Sequence, residues 1–347
     1  MSEGEHGPRP PADARARLHI VTGKGGTGKT TAAAALARAL AADGGRVLLV
    51  EVEGRQGLAT LLGVPPLPYE EREMLSVPGG GTVCVLAADP EAALLEYLEM
   101  FYGMRRAGQA LNRLGAVDFA TTIAPGLRDV LLTGKATEAV RRRRGARRRS
   151  ADAPATAPFH YDAVVMDAPP TGRIARFLNV NSEVAGLARV GPVRNHADRV
   201  MEVIRSAQTR VHFVSLLEEM PVQETREGIA ELAGLGIPVG TVLVNMVRPP
   251  LLAEADLAAA ASADGADTDA LSAGLKEAGL EHPGELAAAL AGEVRAHALR
   301  VGLERRMRAE LEALGRPLLE LPLLEGGVDR AALELLARRL SEQGVRR

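Results

Sequence analysis

The chain has 347 residues, 46% of them apolar and 25% charged, with 42 basic residues against 44 acidic ones and a net charge of −2. That is enough chain for roughly two domains or one large α/β unit, and the near-zero charge offers no global field for gathering nucleic acid. The single cysteine, Cys84, excludes a disulfide framework, a paired-cysteine zinc clamp and a thiolate-held cluster within one subunit.

Residues 1–16 hold Pro8, Pro10 and Pro11 among scattered charges and read as a disordered arm. The run from Arg17 to Thr22 is short, apolar and ends in glycine, as a buried strand does. Thr30 to Ala42 is rich in Ala and Leu and predicts a helix, and Arg46 to Val52 predicts a second strand. Further β-branched or apolar runs at 82–87, 161–167, 210–215, 239–246 and 317–321 alternate with helical-period stretches. That alternation predicts an α/β fold with a doubly wound, mostly parallel sheet. Between 64 and 160 only one strand is convincing, while 91–101 and 127–142 read as helix. The expected organisation is therefore an α/β core at 17–63 and 161–347, with a mainly helical subdomain inserted at 64–160. Residues 251–314 form a second helical stretch within the core. No apolar run approaches the roughly 18–20 residues of a membrane span, and the first 15 residues lack a signal-peptide apolar segment, so a cytoplasmic protein is expected.

Only four of the basic residues are lysines, and two of them fall in the stretch Gly23-Lys24-Gly25-Gly26-Thr27-Gly28-Lys29-Thr30-Thr31. Set between a predicted strand and a predicted helix, this stretch satisfies G-x-x-x-x-G-K-[ST] in the required context. Its glycines let backbone N–H groups turn inward around phosphate oxygens, aided by the positive end of the helix. The pattern assigns Lys29 to the β and γ phosphates and the Thr30 hydroxyl to Mg²⁺, with Gly25, Gly26, Thr27, Gly28 and Thr31 completing the cradle. The same glycines also fit G-x-G-x-x-G with Glu51 and Glu53 at the end of the next strand, the dinucleotide fingerprint. That reading leaves Lys29 and Thr30 unexplained, whereas the phosphate-loop reading accounts for every position and makes the expected core at 17–63 and 161–347 that of a P-loop NTPase.

The strand at 161–167 ends in Asp167, followed by Ala-Pro-Pro-Thr-Gly-Arg173. Asp167 is placed to hold Mg²⁺ through water, and Gly172 to offer its N–H to a γ-phosphate.

Lys24, near the start of the loop, resembles the early lysine of the deviant Walker A motif in the MinD/ParA-like ATPase class. In that class it reaches across a dimer interface to the partner's nucleotide. The run Asp167-Ala-Pro-Pro-Thr-Gly-Arg-Ile-Ala-Arg-Phe-Leu178 closely resembles switch II of the arsenite-pump and guided-entry (tail-anchored protein targeting) ATPases. Asn245 resembles that family's adenine-reading asparagine, Leu321-Pro322-Leu323-Leu324 its adenine-flanking loop, and Glu219 to Thr225 a further family element. The resemblance spans about 17–340 and implies ATP and Mg²⁺ as ligands. It also implies a homodimer, or a heterodimer with a related ATPase chain, and a hydrophobic client segment or membrane-associated partner. Lys24, Lys29 and Glu53 then carry the chemistry.

Switch I of the family usually reads D-P-A-H-N. Here the matching residues are Glu53-Gly54-Arg55-Gln56-Gly57. Glutamate can still orient water, but it is one methylene longer. Cysteine usage argues against a metalloid site and a zinc-clamped dimer. Leu94, Leu95, Leu98, Met100, Phe101, Met104 and Leu111 fit either ordinary core or an adaptable client groove. The Arg141–Arg149 run fits either a solvated loop or a site for acidic lipid, acidic protein or nucleic acid; no specific nucleic acid is expected. The reading is a nucleotide-gated dimeric switch ATPase. A low-turnover regulatory subunit of a paired ATPase and a ParA/MinD-like positioning protein remain as alternatives.

Overall fold

The computed structural model describes residues 16–102, 126–145, 156–187, 192–262 and 265–346. Its elements run β1 (Leu18–Gly23), α1 (Lys29–Ala41), β2 (Arg46–Glu51), α2 (Gly57–Leu62), β3 (Arg72–Val77), β4 (Gly81–Ala87), α3 (Pro90–Tyr102) and α4 (Leu127–Arg141). Then follow β5 (Ala163–Asp167), α5 (Thr171–Leu187), α6 (Pro192–Ile204), β6 (Thr209–Ser215), α7 (Glu219–Gly234) and β7 (Val239–Val247). The chain ends with α8 (Glu254–Ala261), α9 (Thr268–Glu277), α10 (Pro283–Glu312), β8 (Leu318–Pro322) and α11 (Arg330–Glu342).

The strands make one eight-stranded sheet in the order β3-β4-β2-β5-β1-β6-β7-β8. Every neighbouring pair is parallel except β3 with β4. β1, β2 and β5 read as near-continuous apolar runs because helices cover both faces of the sheet, as parallel sheets require. On one face α1 lies flat against the strands. Its sequence is mostly alanine and every residue from Ala32 to Ala41 is buried, so the helix approaches closely all round. The other face is packed by α4 to α7 and the end of α10, through Leu132, Ala136, Phe177, Met201, Leu232 and Leu311.

The strands expected from sequence all form, and β3 is added. It is a half-exposed edge strand, Arg72-Glu-Met-Leu-Ser-Val, whose apolar pattern is too weak to announce itself. A turn through Gly79 and Gly80, both in the left-handed region (φ 92° and 85°), folds it back on β4. The boundary expected at residue 64 moves accordingly. β3 and β4 belong to the main sheet and α4 packs on it, because their apolar residues share its two cores. The expected helices at 251–314 are α8, α9 and α10. The expected arm at 1–16 lies outside the described residues except for Ala16, as do Met104 and Leu111.

The arginine run is part of the structure where it is described. The Arg142 side chain is only 8% exposed and donates to Glu71 (2.8 and 2.9 Å) and Glu138 (2.6 and 2.9 Å), while Tyr161 Oη also donates to Glu71 at 2.7 Å. Burial opposes its charge, but these carboxylates outweigh it and hold the guanidinium more basic than usual. Arg143 stacks over Phe159, 4.1 Å from the ring centroid. Residues 146–149 lie outside the described residues. Among those described, no helix is long and apolar enough to cross a membrane.

Two histidines meet in the centre of the sheet. His19 on β1 and His212 on β6 stack with ring centroids 5.3 Å apart and 11° between planes, and their Nδ1 and Nε2 atoms lie 3.1 Å apart. The amide of Thr241 donates to His212 Nδ1 at 3.3 Å, so the neutral tautomer carries its proton on Nε2 and donates it to His19. Burial, helped by the charge of Arg210, pushes the His212 pKa down to about 4. Unfolded, the same ring takes its proton near 6.5. Its contribution to stability is therefore complete above that value and lost as pH falls toward 4. The expected loss between pH 7 and 4.5 is about 2–3 kcal/mol from this ring alone. Urea midpoints measured across that range should flatten markedly in His212→Gln, which keeps a donor and an acceptor but cannot charge.

Candidate nucleotide site

The carboxyl ends of β1, β2, β5, β6 and β7 open on one edge of the sheet, where ligands of doubly wound folds bind. The loop Lys24–Gly28 turns from β1 into α1 through Gly26 (φ 88°) and Gly28 (φ 85°), a conformation in which L side chains are strained. Thr27 closes the turn on itself, Oγ1 donating to the Lys24 carbonyl at 2.9 Å. From the far side Asn245 Nδ2 donates to the Thr27 carbonyl at 2.9 Å. No side chain caps α1, so its first N–H groups, at Lys29, Thr30 and Thr31, are the orphan donors an anion would accept from. A Cβ at Gly25 or Gly26 would meet nothing within 4 Å, so the space over the loop is open. These observations fit a phosphate chain.

Lys29 Nζ touches only the Lys24 carbonyl, at 3.5 Å, and forms no ion pair among the described residues. Burial holds its pKa below the usual lysine range, against the pull of Asp167, Glu53 and Glu224, while the nearby Arg55 lowers it further. An ammonium in that position gains from an anion. Thr30 Oγ1 donates to Asp167 Oδ2 at 2.6 Å. Asp167 is pushed up to about 6 by burial, with Glu51 and Glu53 adding to the effect and Thr30 and Lys29 opposing it. One hydroxyl and one carboxylate are the protein ligands Mg²⁺ commonly takes beside phosphate oxygens and waters, so the pair fits that ion.

Lys24 forms an ion pair with Glu224 on α7, whose other oxygen accepts from Thr171 Oγ1 at 2.6 Å. Burial works against ionisation of Glu224, but the hydrogen bonds and charges of Lys24, Thr171 and Lys29 hold its carboxyl below the usual range. A single carboxylate thus ties the phosphate loop to the start of α5. Gly172, second in α5, is exposed and shares a cleft of about 530 Å³ with Lys24, Gly25 and Glu224. Thr22 Oγ1 adds a tether, donating to the Pro169 carbonyl at 2.7 Å.

On the β2 side, Glu51 is buried and its two oxygens accept from the amides of Gly57 (2.9 Å) and Leu58 (3.1 Å), capping α2. Gln56 clamps the backbone of Leu67 from both sides, Oε1 accepting at 2.8 Å and Nε2 donating at 3.1 Å. Glu53 lies between these anchors, half-buried, in a cleft of about 210 Å³ lined also by Arg55, Arg128, Asp129 and Arg173. On the opposite side Leu323 N donates to the Val247 carbonyl at 2.9 Å and Pro322 pairs in register with Val247, which places both beside the β7 end carrying Asn245.

The structure therefore brings the sequence-predicted residues to one edge in three groups. Asn245, Pro322 and Leu323 stand at β7 and β8, the loop, Thr30 and Asp167 at β1 and β5, and Glu53 at β2. Sequence reasoning passed over Glu224, Arg128 and Asp129 as site residues and weighed Glu51 only within the dinucleotide fingerprint. Glu224 lay in a stretch already singled out, Glu219 to Thr225, but its role depends on where α7 packs.

A strand-loop-helix that cradles phosphate on a doubly wound sheet defines a P-loop nucleotide hydrolase. The family profile described as anion-transporting ATPase matches residues 16–205, and the chain belongs to that family of ATPases. It is 52% identical over 330 residues to the ATPase BagA of Mycobacterium tuberculosis (strain ATCC 25618 / H37Rv), covering 95% of this chain and 94% of that one. It is 26% identical over 274 residues to the ATPase GET3 of Kluyveromyces lactis, covering 69% and 74%. With the arsenical pump-driving ATPase of Acidiphilium multivorum it shares 27% identity over 264 residues, 69% of this chain and 41% of the longer relative. The chain is an ATPase.

A methyl at Gly28 would lie 2.3 Å from Asn245 Nδ2, on backbone that disfavours any side chain. Gly28→Ala should cost about 1–2 kcal/mol from the left-handed backbone alone and abolish ATP binding, measured by calorimetry. Adding Asn245→Ala should recover stability by relieving the clash.

Proposed function

We propose that this ATPase is a Mg²⁺-dependent, nucleotide-gated switch that works as a dimer in the cytoplasm. The observation that carries this reading is the double engagement of Glu224 by Lys24 and Thr171. The early lysine is held within its own chain, at the junction of the phosphate loop and the segment that follows Asp167. Binding of a γ-phosphate beside Gly172 disturbs that junction and frees Lys24 for a nucleotide across the interface.

The residues divide the work by position. Asn245, Pro322 and Leu323 hold the base, and the loop amides with Lys29 neutralise the β and γ oxygens. Thr30 and Asp167 would hold Mg²⁺. When bound, Mg²⁺ would supply further neutralisation of phosphate charge. Glu53 orients the attacking water, and Lys24, Lys29 and the loop donors meet the charge that develops in the transition state. The helices between β4 and β5 pass the change to a hydrophobic client segment or a membrane-associated partner. No zinc and no specific nucleic acid are required.

The partner chain is a second copy or a related ATPase. One observation favours the second arrangement, in which this chain binds nucleotide but turns it over slowly. Gln56 is committed to the Leu67 backbone and Glu51 caps α2, so the segment bearing Glu53 is anchored at its downstream end.

ATP turnover measured across a range of protein concentrations tests the dimer. Specific activity should rise with concentration, vanish on chelation of Mg²⁺, and fall at least about a hundredfold in Lys29→Ala and in Lys24→Ala. Turnover that ignores both concentration and Lys24→Ala overturns the dimeric switch. ATP binding without turnover at any concentration selects the paired arrangement.

A further inference from the structure

We propose that Arg55 is a catalytic arginine of this site, reaching the terminal phosphate oxygens from the β2 side; the assignment rests on the ATPase reading above. Its loop is built to present it. Glu51 holds the loop's downstream end at Gly57 and Leu58, Gln56 is clamped to Leu67, and the two residues flanking Arg55 are both left-handed, Gly54 at φ 69° and Gln56 at φ 56°. Between them Arg55 stands exposed. A solvated surface arginine needs no such mounting.

Three arginines line the cleft around Glu53, and two are already engaged. Arg128 donates to the Glu53 carbonyl at 3.5 Å, and Arg173 lies 3.9 Å from Asp129. Arg55 makes no hydrogen bond or ion pair among the described residues. Its charge is felt at Lys29, whereas Arg173, Arg128 and Arg176 are the cations felt at Asp129. The same loop also lies against the phosphate site itself, since a Cβ on Gly57 would come within 3.4 Å of Thr30 Cγ2. There Arg55 adds a second cation beside a half-buried ammonium, an arrangement that repels itself until a polyanion arrives.

The order of the strands says which phosphate it meets. The base-side residues stand on β7 and β8, the loop follows β1, Asp167 ends β5, and Arg55 follows β2. A nucleotide laid along this edge from β8 toward β2 ends with its γ-phosphate at Arg55. A guanidinium fork suits the charge that spreads over the equatorial oxygens of that group during transfer.

The test compares Arg55→Ala and Arg55→Lys with the unaltered full chain, by turnover and by the affinities for ADP, for a non-hydrolysable ATP analogue and for ADP with aluminium fluoride. In Arg55→Ala, ADP affinity should stay within about twofold while the analogue and the fluoride complex weaken at least about tenfold. The turnover rate should fall by about a thousandfold, the low end for arginines in this role. Arg55→Lys should recover part of the affinity for the analogue but little of the rate. Equal losses for ADP and the analogue, or no loss for either, overturn the assignment. Lys29→Ala separates the two levels of the reading. If the unaltered chain binds ATP, Lys29→Ala abolishes that binding and Arg55→Ala is silent, only the arginine falls. If the unaltered chain does not bind ATP, the nucleotide reading falls and the arginine with it.

Discussion

The first turn of α1 has no side-chain cap, and the chemistry of the molecule is arranged around that deficit. A helix start buried without a partner is costly, so the orphan amides after Gly28 have to face something that accepts from them. The glycines that shape the loop keep side chains out of that space, and Asn245 pins the loop's outer carbonyl so that its amides stay turned inward. The central position of β1 then fixes where the donors point. Its neighbours β5 and β6 deliver Asp167 to one side and the approach to α7 to the other.

Charge is distributed on the same plan. Glu51 and Asp167 are buried anions, and each is satisfied by donors within the fold: two amides for the first, the Thr30 hydroxyl for the second. Glu224 binds Lys24 and Thr171 at once, which makes it the joint between two loops distant in sequence. The cations Lys29 and Arg55 lack carboxylate partners among the described residues. Buried anions satisfied internally beside cations left open make a site selective for anionic ligands.

Elsewhere the structure turns bland-looking sequence into architecture. By sequence the arginine run fits a solvated loop or a site for an acidic ligand, yet the Arg142 side chain bridges Glu71 and Glu138 with little exposure, and Arg143 lies over Phe159. Removing one partner of such a bridge costs far more than a surface pair would, because the charge left behind stays desolvated. The His19–His212 stack likewise joins β1 to β6 inside the sheet through a ring-to-ring contact.

By itself the sequence determined the sheet, the phosphate loop and the family. Those depend on local patterns: apolar runs for buried strands, alanine periodicity for α1, glycines before Lys29 and Thr30, and a carboxylate ending a strand at Asp167. The tertiary structure alone decided that Glu224 restrains Lys24, that Gln56 anchors the loop after β2 through Leu67, that β3 joins the sheet, and that Arg55 stands apart from the paired arginines of its cleft. Each of these is a contact between segments far apart along the chain, set by how helices pack on the sheet. Spacing within one segment carries no record of which carboxylate, carbonyl or cation another segment will bring to it.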